Sequence, residues 1–575
     1  KSPQFLTEEV AVFTNFSTPW LASAALALMP LGLLLSALPR VQATRHSALS
    51  ARQRVRWAAL FALGAVFLAD GTFFLGARDN LILASLPLPG LGFDLPISVT
   101  ANGLTLALAT LVAFVIVMIA QYSIQYLDGD PQQARFARLL AFTAGFFLLV
   151  VISGNLGLFT LGIIATGFSL HKLLKFYGDR PKAIMAAHKK SIFSRTADLC
   201  LLTATVLVGQ DVGSLQFDAL REVAQRAGGL PLTLQVAAWL IVAAVILKSA
   251  LFPFQGWLIQ VMEAPTPVSA LMHAGVVYSG AIVALRTSPL LVQVPSALLF
   301  LGAAGLLTVL IGSLVMTTQT AVKSMLAWST AAQLGFMSLE LGLGLFPLAL
   351  LHLIGHSLYK AHAFLSSGSV TDQLRQVPPG GKKIPALGTW IVSVVLGVLI
   401  SGGGAWALGE NPVADPVWLA LVVILAVALT QLMIKGFSFD AWADRLTAIA
   451  LAVVMGGAYL LLHSLFVWGF QRDMAPPLTD GSMNQSLFVY CIAGSFLFLS
   501  WLQGPGRALL PQRLQLALFT HLYHGLYVDY WVEQFSHRFW AEKVGVELPA
   551  KNLALESLES INRNRAALEN SGGVQ

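Results

Sequence analysis

Repeatedly along this chain, runs of mostly apolar residues approach the length of about 20 that a helix needs to cross a bilayer. Trp20–Pro39 and Thr105–Ala120 contain no charge, and Val417–Thr430 continues the pattern into its flanks. No other feature limits the fold as tightly. Composition agrees: 56% of the 575 residues are hydrophobic and only 11% are charged, about half the charged share of an ordinary soluble domain. A soluble fold of this size would need far more polar surface. Hydropathy gives about fifteen spans, and the expected fold is an all-α polytopic membrane protein.

Charge then fixes a topology. Arg40, Arg45, Arg52, Arg54 and Arg56 fill the first loop. Lys172, Lys175, Arg180, Lys182, Lys189 and Lys190 form a second basic group, and Arg375, Lys382 and Lys383 a third. All three fall on one side if the spans alternate, whereas Asp79, Asp94, Asp211, Glu410 and Asp415 fall on the other. The positive-inside rule places the N-terminus outside and the C-terminus in the cytoplasm of a multi-pass membrane protein. The net charge of +7 therefore reports where cations sit along a membrane and gives no hint of nucleic acid. Lys1–Phe16 lack a cleavable signal pattern, and the expectation is an N-terminus already trimmed. Cys200 and Cys491 lie in apolar segments and read as two packed thiols, with no disulfide or metal framework. From Gly504 the chain turns polar and basic. Its Leu514–Trp540 segment mixes Tyr, Trp and His with apolar residues, as an interfacial or partner-docking helix does.

Charges at bilayer depth cost at least a few kcal/mol and usually face a polar cavity or one another. Lys248 lies deep in span 7 (235–255), five residues before Pro253. Proline removes a backbone donor, so the helix is expected to break beside the ammonium. Burial makes a lysine release its proton more readily and a nearby carboxylate opposes that, so Lys248 is a group that can load and unload. The plainer alternative is a structural ion pair without proton exchange. Asp198, in span 6 (191–209), is the expected partner of Lys248. Asp70 has no partner visible in the sequence.

His352, His356 and Lys360 recur every four residues in span 11 (346–366), which puts them on one helix stripe. Imidazole titrates near neutral pH, so the stripe reads as a proton wire; a single membrane histidine would more often be packing. His362 falls off the stripe. His273 follows Pro265 and Pro267 in span 8 (266–286), and span 10 (322–343) opens with Lys323 and carries Glu340 near its far end. Lys323 is close enough to the boundary to snorkel instead. The expected file runs past Glu340, along the stripe, and through His273 to Lys248.

Trp257–His273 (WLIQVMEAPTPVSALMH) resembles the most characteristic motif of the proton-translocating antiporter-like family, which includes the large membrane-arm subunits of respiratory complex I and the Mrp-type sodium/proton antiporters. Lys323–Met337 and His352–Val370 resemble that family's next two motifs. The similarity runs from about Asn102 to Lys383 and resumes weakly at Leu522–Asp529. It implies two inverted five-helix repeats, 136–286 and 295–435, with broken helices at spans 7 and 12. They would lie between N-terminal helices (1–135), peripheral helices (436–503) and a cytoplasmic partner-docking tail (504–575). By motif, Lys248, His273, Lys323, His352, His356 and Lys360 match the family's proton-path positions.

Departures from the pattern narrow the branch. Ile163 and Ile164 stand where the family places a Trp-Glu pair, so the usual counterion of the span-7 lysine is gone. Span 12 (386–408) keeps a weak point at Gly402, Gly403 and Gly404 but lacks the expected lysine, with Glu410 the nearest ionisable residue. The long lateral helix of the distal complex I subunit is also missing. Such a trimmed, tail-bearing member resembles the membrane subunits of DAB inorganic-carbon-accumulation complexes. That resemblance implies a large soluble zinc-binding partner of the DabA type, related to β-carbonic anhydrases, on the cytoplasmic face. The zinc would belong to the partner, and this chain would hold no cofactor and perform no chemistry of its own. Proton flow through it would make CO2 hydration one-way. A cation/proton antiporter or complex I-type pumping subunit is the second reading, and a non-conducting membrane anchor for a soluble enzyme the third.

Overall fold

The computed structural model describes residues 19–38, 45–178, 180–224, 229–369, 385–439, 441–476, 483–532 and 534. The described residues begin with α1 (Leu21–Ser36) and α2 (Arg45–Phe74), followed by a hairpin of β1 (Leu81–Pro87) and β2 (Asp94–Val99). After the hairpin come α3 (Gly103–Tyr126), α4 (Gln133–Ile152), α5 (Leu156–Leu174), α6 (Pro181–Val212), the short α7 (Phe217–Ala224) and α8 (Leu232–Lys248). The centre holds α9 (Gly256–Gln260), α10 (Thr266–Ala274), α11 (Ser279–Arg286), α12 (Pro295–Met316), α13 (Val322–Gly342) and α14 (Phe346–Leu365). The remainder is α15 (Leu387–Ala407), α16 (Pro416–Phe437), α17 (Trp442–Phe470), α18 (Met483–Gln503) and α19 (Gln512–Tyr523). Among the described residues, 11 helical segments are long and apolar enough to cross a membrane, and α1 and α8 are shorter apolar helices.

Helix starts explain much of the local order. Asn102 accepts the Thr105 N–H at 2.8 Å ahead of α3, and Asn155 accepts the Leu158 N–H at 2.8 Å ahead of α5. Each side chain satisfies one orphan donor of a helix N-terminus, for about 1 kcal/mol. The Asn155 amide also donates to the Pro96 carbonyl at 2.7 Å and to Ser98 Oγ at 2.8 Å, tying α5 to β2. The antiparallel hairpin turns through Gly90 and Gly92, both at positive φ. It amends the all-α expectation. Each strand is only 6 or 7 residues long, too short to register in a hydropathy window of about 19.

Four further expectations change. Span 8 is interrupted at Gly275 (φ −143, ψ −87) by a 3-10 turn over Val276–Tyr278, which separates α10 from α11. Span 12 does not break at Gly402, Gly403 and Gly404: α15 runs through all three. Glycine keeps its N–H and tolerates helical dihedrals at a cost near 1 kcal/mol, and in an apolar setting internal hydrogen bonding outweighs that penalty. Gly404 is also where the Leu460 side chain of α17 closes on α15. The tail segment is not one helix from Leu514 to Trp540. α19 ends at Tyr523, and a tight turn with Gly525, Leu526 and Tyr527 all at positive φ follows. Ala550–Gln575 and the basic group Arg375, Lys382 and Lys383 lie outside the described residues. Cys491 is exposed on α18, and only Cys200 is partly packed; both are free thiols.

The tightest helix pair is α12 with α13. A Cβ on Gly305 would run into the Gly335 carbonyl, and one on Gly335 into the Gly305 carbonyl and Thr308. Small residues let apolar helices approach to backbone contact, where dispersion rather than the hydrophobic effect holds them. Gly335→Val is therefore expected to separate α12 from α13 at a cost of about 3 kcal/mol or more from overpacking. The measurement is folded, monodisperse protein recovered from membranes, and wild-type recovery would contradict it.

Candidate functional site

α8 ends at Lys248, and the chain passes through Ala250 (φ 50) and Phe252–Pro253 before α9 begins at Gly256. The Lys248 ammonium donates to Asp198 Oδ1 at 2.5 Å and to Ser194 Oγ at 3.3 Å, both on α6. Arg195 reaches the other carboxylate oxygen at 3.1 Å. Asp198 thus stands between two cations, and both it and Lys248 are buried. Beside them is a small cavity of about 30 Å³ walled by Ile163, Lys190, Ser194, Lys248, Trp257 and Ser279, among others. Ile163, one of the two isoleucines replacing the family's Trp-Glu pair, is in that wall. The carboxylate comes from the neighbouring helix instead. Lys190 was visible in the sequence only as part of a basic loop; an α6 that begins at Pro181 draws it into the bundle.

The histidine stripe of α14 faces α13 and the interrupted α10–α11 segment. His352 Nδ1 is 3.0 Å from Glu340 Oε2, and its Nε2 is 2.7 Å from Gln333 Oε1. Both ring nitrogens face oxygens, an arrangement that lets the imidazole carry its second proton. The His352 and His356 rings meet edge to face with centroids 6.0 Å apart. His356 Nδ1 is 2.8 Å from the Tyr278 hydroxyl, and that hydroxyl is 2.9 Å from the His273 carbonyl, to which it donates. One hydroxyl proton can serve either neighbour, so the pair has two proton arrangements. Tyr278 is absent from the sequence-derived set. Its signal was a tyrosine in an apolar run, where a buried hydroxyl needs a partner, but the turn that aims it at His356 is a tertiary feature.

The other residues are placed less directly. His273 is fully buried and stacks on Phe364 at 4.4 Å, with neither ring nitrogen bonded to protein. Lys360, one turn beyond His356 on the stripe, donates to the Leu326 carbonyl at 2.9 Å and to Ser329 Oγ at 3.0 Å. Lys323 is half-buried at the start of α13, one turn before Leu326, with its ammonium 3.4 Å from Thr266 Oγ1. His362 is exposed, and Glu410 is exposed beyond the end of α15. Asp70 has a partner after all: its Oδ2 accepts from Thr110 Oγ1 at 3.2 Å. Among the described residues no group of three or more His, Cys, Asp or Glu side chains converges as a metal set.

Two polar clusters therefore lie in one apolar bundle, Lys248–Asp198–Arg195 and Glu340–His352–His356–Tyr278. The turn between α10 and α11 belongs to both: Val276 and Val277 wall the cavity, and Tyr278 completes the histidine cluster.

Comparison with known proteins places this architecture. Residues 153–399 match the family described as NADH:quinone oxidoreductase/Mrp antiporter, TM, and residues 88–137 match the N-terminal family of complex I chain 5. The chain is 56% identical to the probable inorganic carbon transporter subunit DabB2 of Halothiobacillus neapolitanus, over 92% of this chain and 96% of that protein. It is 32% identical to the probable inorganic carbon transporter subunit DabB of Hydrogenovibrio crunogenus, over 80% of this chain and 87% of that protein. The solved Mrp complex from Dietzia has a chain with the same fold, at TM-score 0.53 and 21% identity, covering 95% of this chain and 60% of that one. Motifs, helices and relatives converge: this chain belongs to the DabB family of antiporter-like, multi-pass membrane subunits.

Proposed function

We propose that this subunit conducts protons across the bacterial inner membrane to drive a cytoplasmic, zinc-dependent, carbonic-anhydrase-like partner of the DabA type. The coupled process is energy-driven CO2 hydration and bicarbonate accumulation. The observation that carries the reading is the pair of buried clusters joined at the α10–α11 loop, in a chain whose relatives are named as inorganic carbon transporter subunits. A proton from outside is taken by the Glu340–His352 pair and passes through water to His356, whose Nε2 has no protein partner. The Tyr278 hydroxyl accepts it from His356 Nδ1 as its own proton leaves through water toward the unbonded His273 ring and the cavity at Lys248. Asp198 holds the loaded Lys248, and Arg195 keeps the carboxylate paired when Lys248 is empty. Unbonded polar atoms on His273, His356 and Trp257 suit a hydrated file, since buried polar groups without protein partners take bound water. The reading includes about fifteen crossings in two inverted repeats, with the N-terminus outside and the tail in the cytoplasm. Zinc and the hydration chemistry belong to the partner.

The test is purification with the native partner, zinc analysis of the complex, and CO2 hydration in vesicles with an imposed proton gradient. Zinc in the partner and a rate that collapses with a protonophore are expected. Gradient-insensitive hydration by an intact complex rejects the coupling and leaves a membrane anchor. A second reading, cation/proton exchange, draws on the fold shared with the Mrp chain. Sodium-dependent proton movement without the partner would favour it.

A further inference from the structure

The C-terminal segment returns to the bundle at one residue that the proton file does not use. Asp529 Oδ1 accepts from the Lys189 ammonium at 2.7 Å, and its Oδ2 accepts from Gln260 Nε2 at 2.7 Å. Lys189 is fully buried and Asp529 is about one-third exposed. Gly256 and Gln260 lie one turn apart on the same face of α9. Gln260 supplies the donor and Gly256 supplies clearance, because a Cβ there would overlap the Asp529 carboxylate. The approach is held from the other side as well. Gln319 donates to the Tyr523 carbonyl at 3.3 Å, and Gly525 packs on Trp328. Leu526 (φ 59) and Tyr527 (φ 60) occupy left-handed backbone that non-glycine residues adopt only when surroundings impose it.

The contact adjoins two walls of the cavity described above through its chain neighbours. Lys189 precedes Lys190, and Gly256 precedes Trp257; Lys190 and Trp257 both wall the space beside Lys248. Immediately beyond Asp529, Tyr530 and Trp531 are exposed aromatic side chains. We propose that Lys189, Gln260 and Asp529 form a latch through which the C-terminal tail, gripped by the soluble partner, sets the shape of the Lys248 chamber and so its proton traffic. The latch rests on the conduction reading above. Asp529 and Lys189 are positioning residues in it: the carboxylate fixes where α6 and α9 sit relative to each other, and releasing it frees both walls at once.

The experiment uses the complete complex in vesicles, as wild type and as Asp529→Asn, Asp529→Glu and Gly256→Ala. Amide hydrogen exchange over residues 525–532, co-purification of the partner and gradient-driven proton uptake are read in parallel. Asp529→Asn and Gly256→Ala are expected to retain the partner, to raise exchange at least about tenfold by local opening, and to lower proton uptake at least about tenfold. Asp529→Glu, which keeps the charge, is expected to recover most of both. Wild-type exchange in Asp529→Asn overturns the latch. Raised exchange with proton uptake within about twofold of wild type overturns its link to the chamber. If the wild-type complex takes up no protons, the conduction reading fails and the link with it, while exchange still decides whether Asp529 holds the tail.

Discussion

Lys248→Met is expected to abolish gradient-driven activity, by at least about 100-fold, while the complex still assembles. General acid–base groups in a transfer path contribute about 10²–10⁴-fold, and a methionine of similar length cannot exchange a proton. Assembly should survive because of the local pairing. Removing one partner of a buried ion pair costs about 3–5 kcal/mol when the other charge is stranded. Here Asp198 keeps Arg195 at 3.1 Å after the ammonium is gone. Asp198→Asn is the harsher change for folding, since it removes the carboxylate that pairs with both Lys248 and Arg195 and leaves two cations uncompensated. The measurements are size-exclusion profile with bound partner, and carbon-dependent growth or CO2 hydration under a gradient. An assembled Lys248→Met complex with normal activity would reduce the Lys248–Asp198 pair to a structural bridge.

The double variant His352→Phe, His356→Phe should likewise assemble, retain its partner and lose proton-dependent activity by about 100-fold. Phenylalanine preserves bulk and burial but removes every nitrogen between Glu340 and Tyr278. Leaving the Glu340 and Gln333 oxygens without their donor costs about 1–3 kcal/mol each, and more for the carboxylate. His352→Gln, which keeps a donor toward Glu340, should restore stability without restoring transfer. His362→Phe is the internal control: that side chain is exposed and off the stripe, so activity should not change. Full activity in the double variant would make the stripe a packing element and move the proton route elsewhere.

The membrane class, the intervals of nearly all the long helices and the identity of the main ionisable residues were legible in the sequence. Each rests on a local rule. Hydrocarbon demands long apolar helices, four-residue spacing puts His352, His356 and Lys360 on one stripe, and a charge at bilayer depth needs a stated reason. Asp198 could be named as the carboxylate for Lys248 because few carboxylates lie inside the early spans. That was elimination within the chain, and the 2.5 Å contact is the tertiary fact.

What only the tertiary structure decided is where polar atoms point once helices pack. Lys360 lies on the stripe yet turns to Leu326 and Ser329 of α13, because helical spacing sets a face and neighbouring carbonyls set the direction. Gly402, Gly403 and Gly404 read as a break, but a helix without water around it keeps its own hydrogen bonds, and Leu460 fills the space beside Gly404. Gly275 does interrupt its helix, and that turn brings Tyr278 to His356. Asp529 ends the segment where the family resemblance weakly resumes, and nothing in the sequence names its partners. Its partners, Lys189 and Gln260, are 340 and 269 residues away in the chain, and no periodicity or propensity spans such a separation.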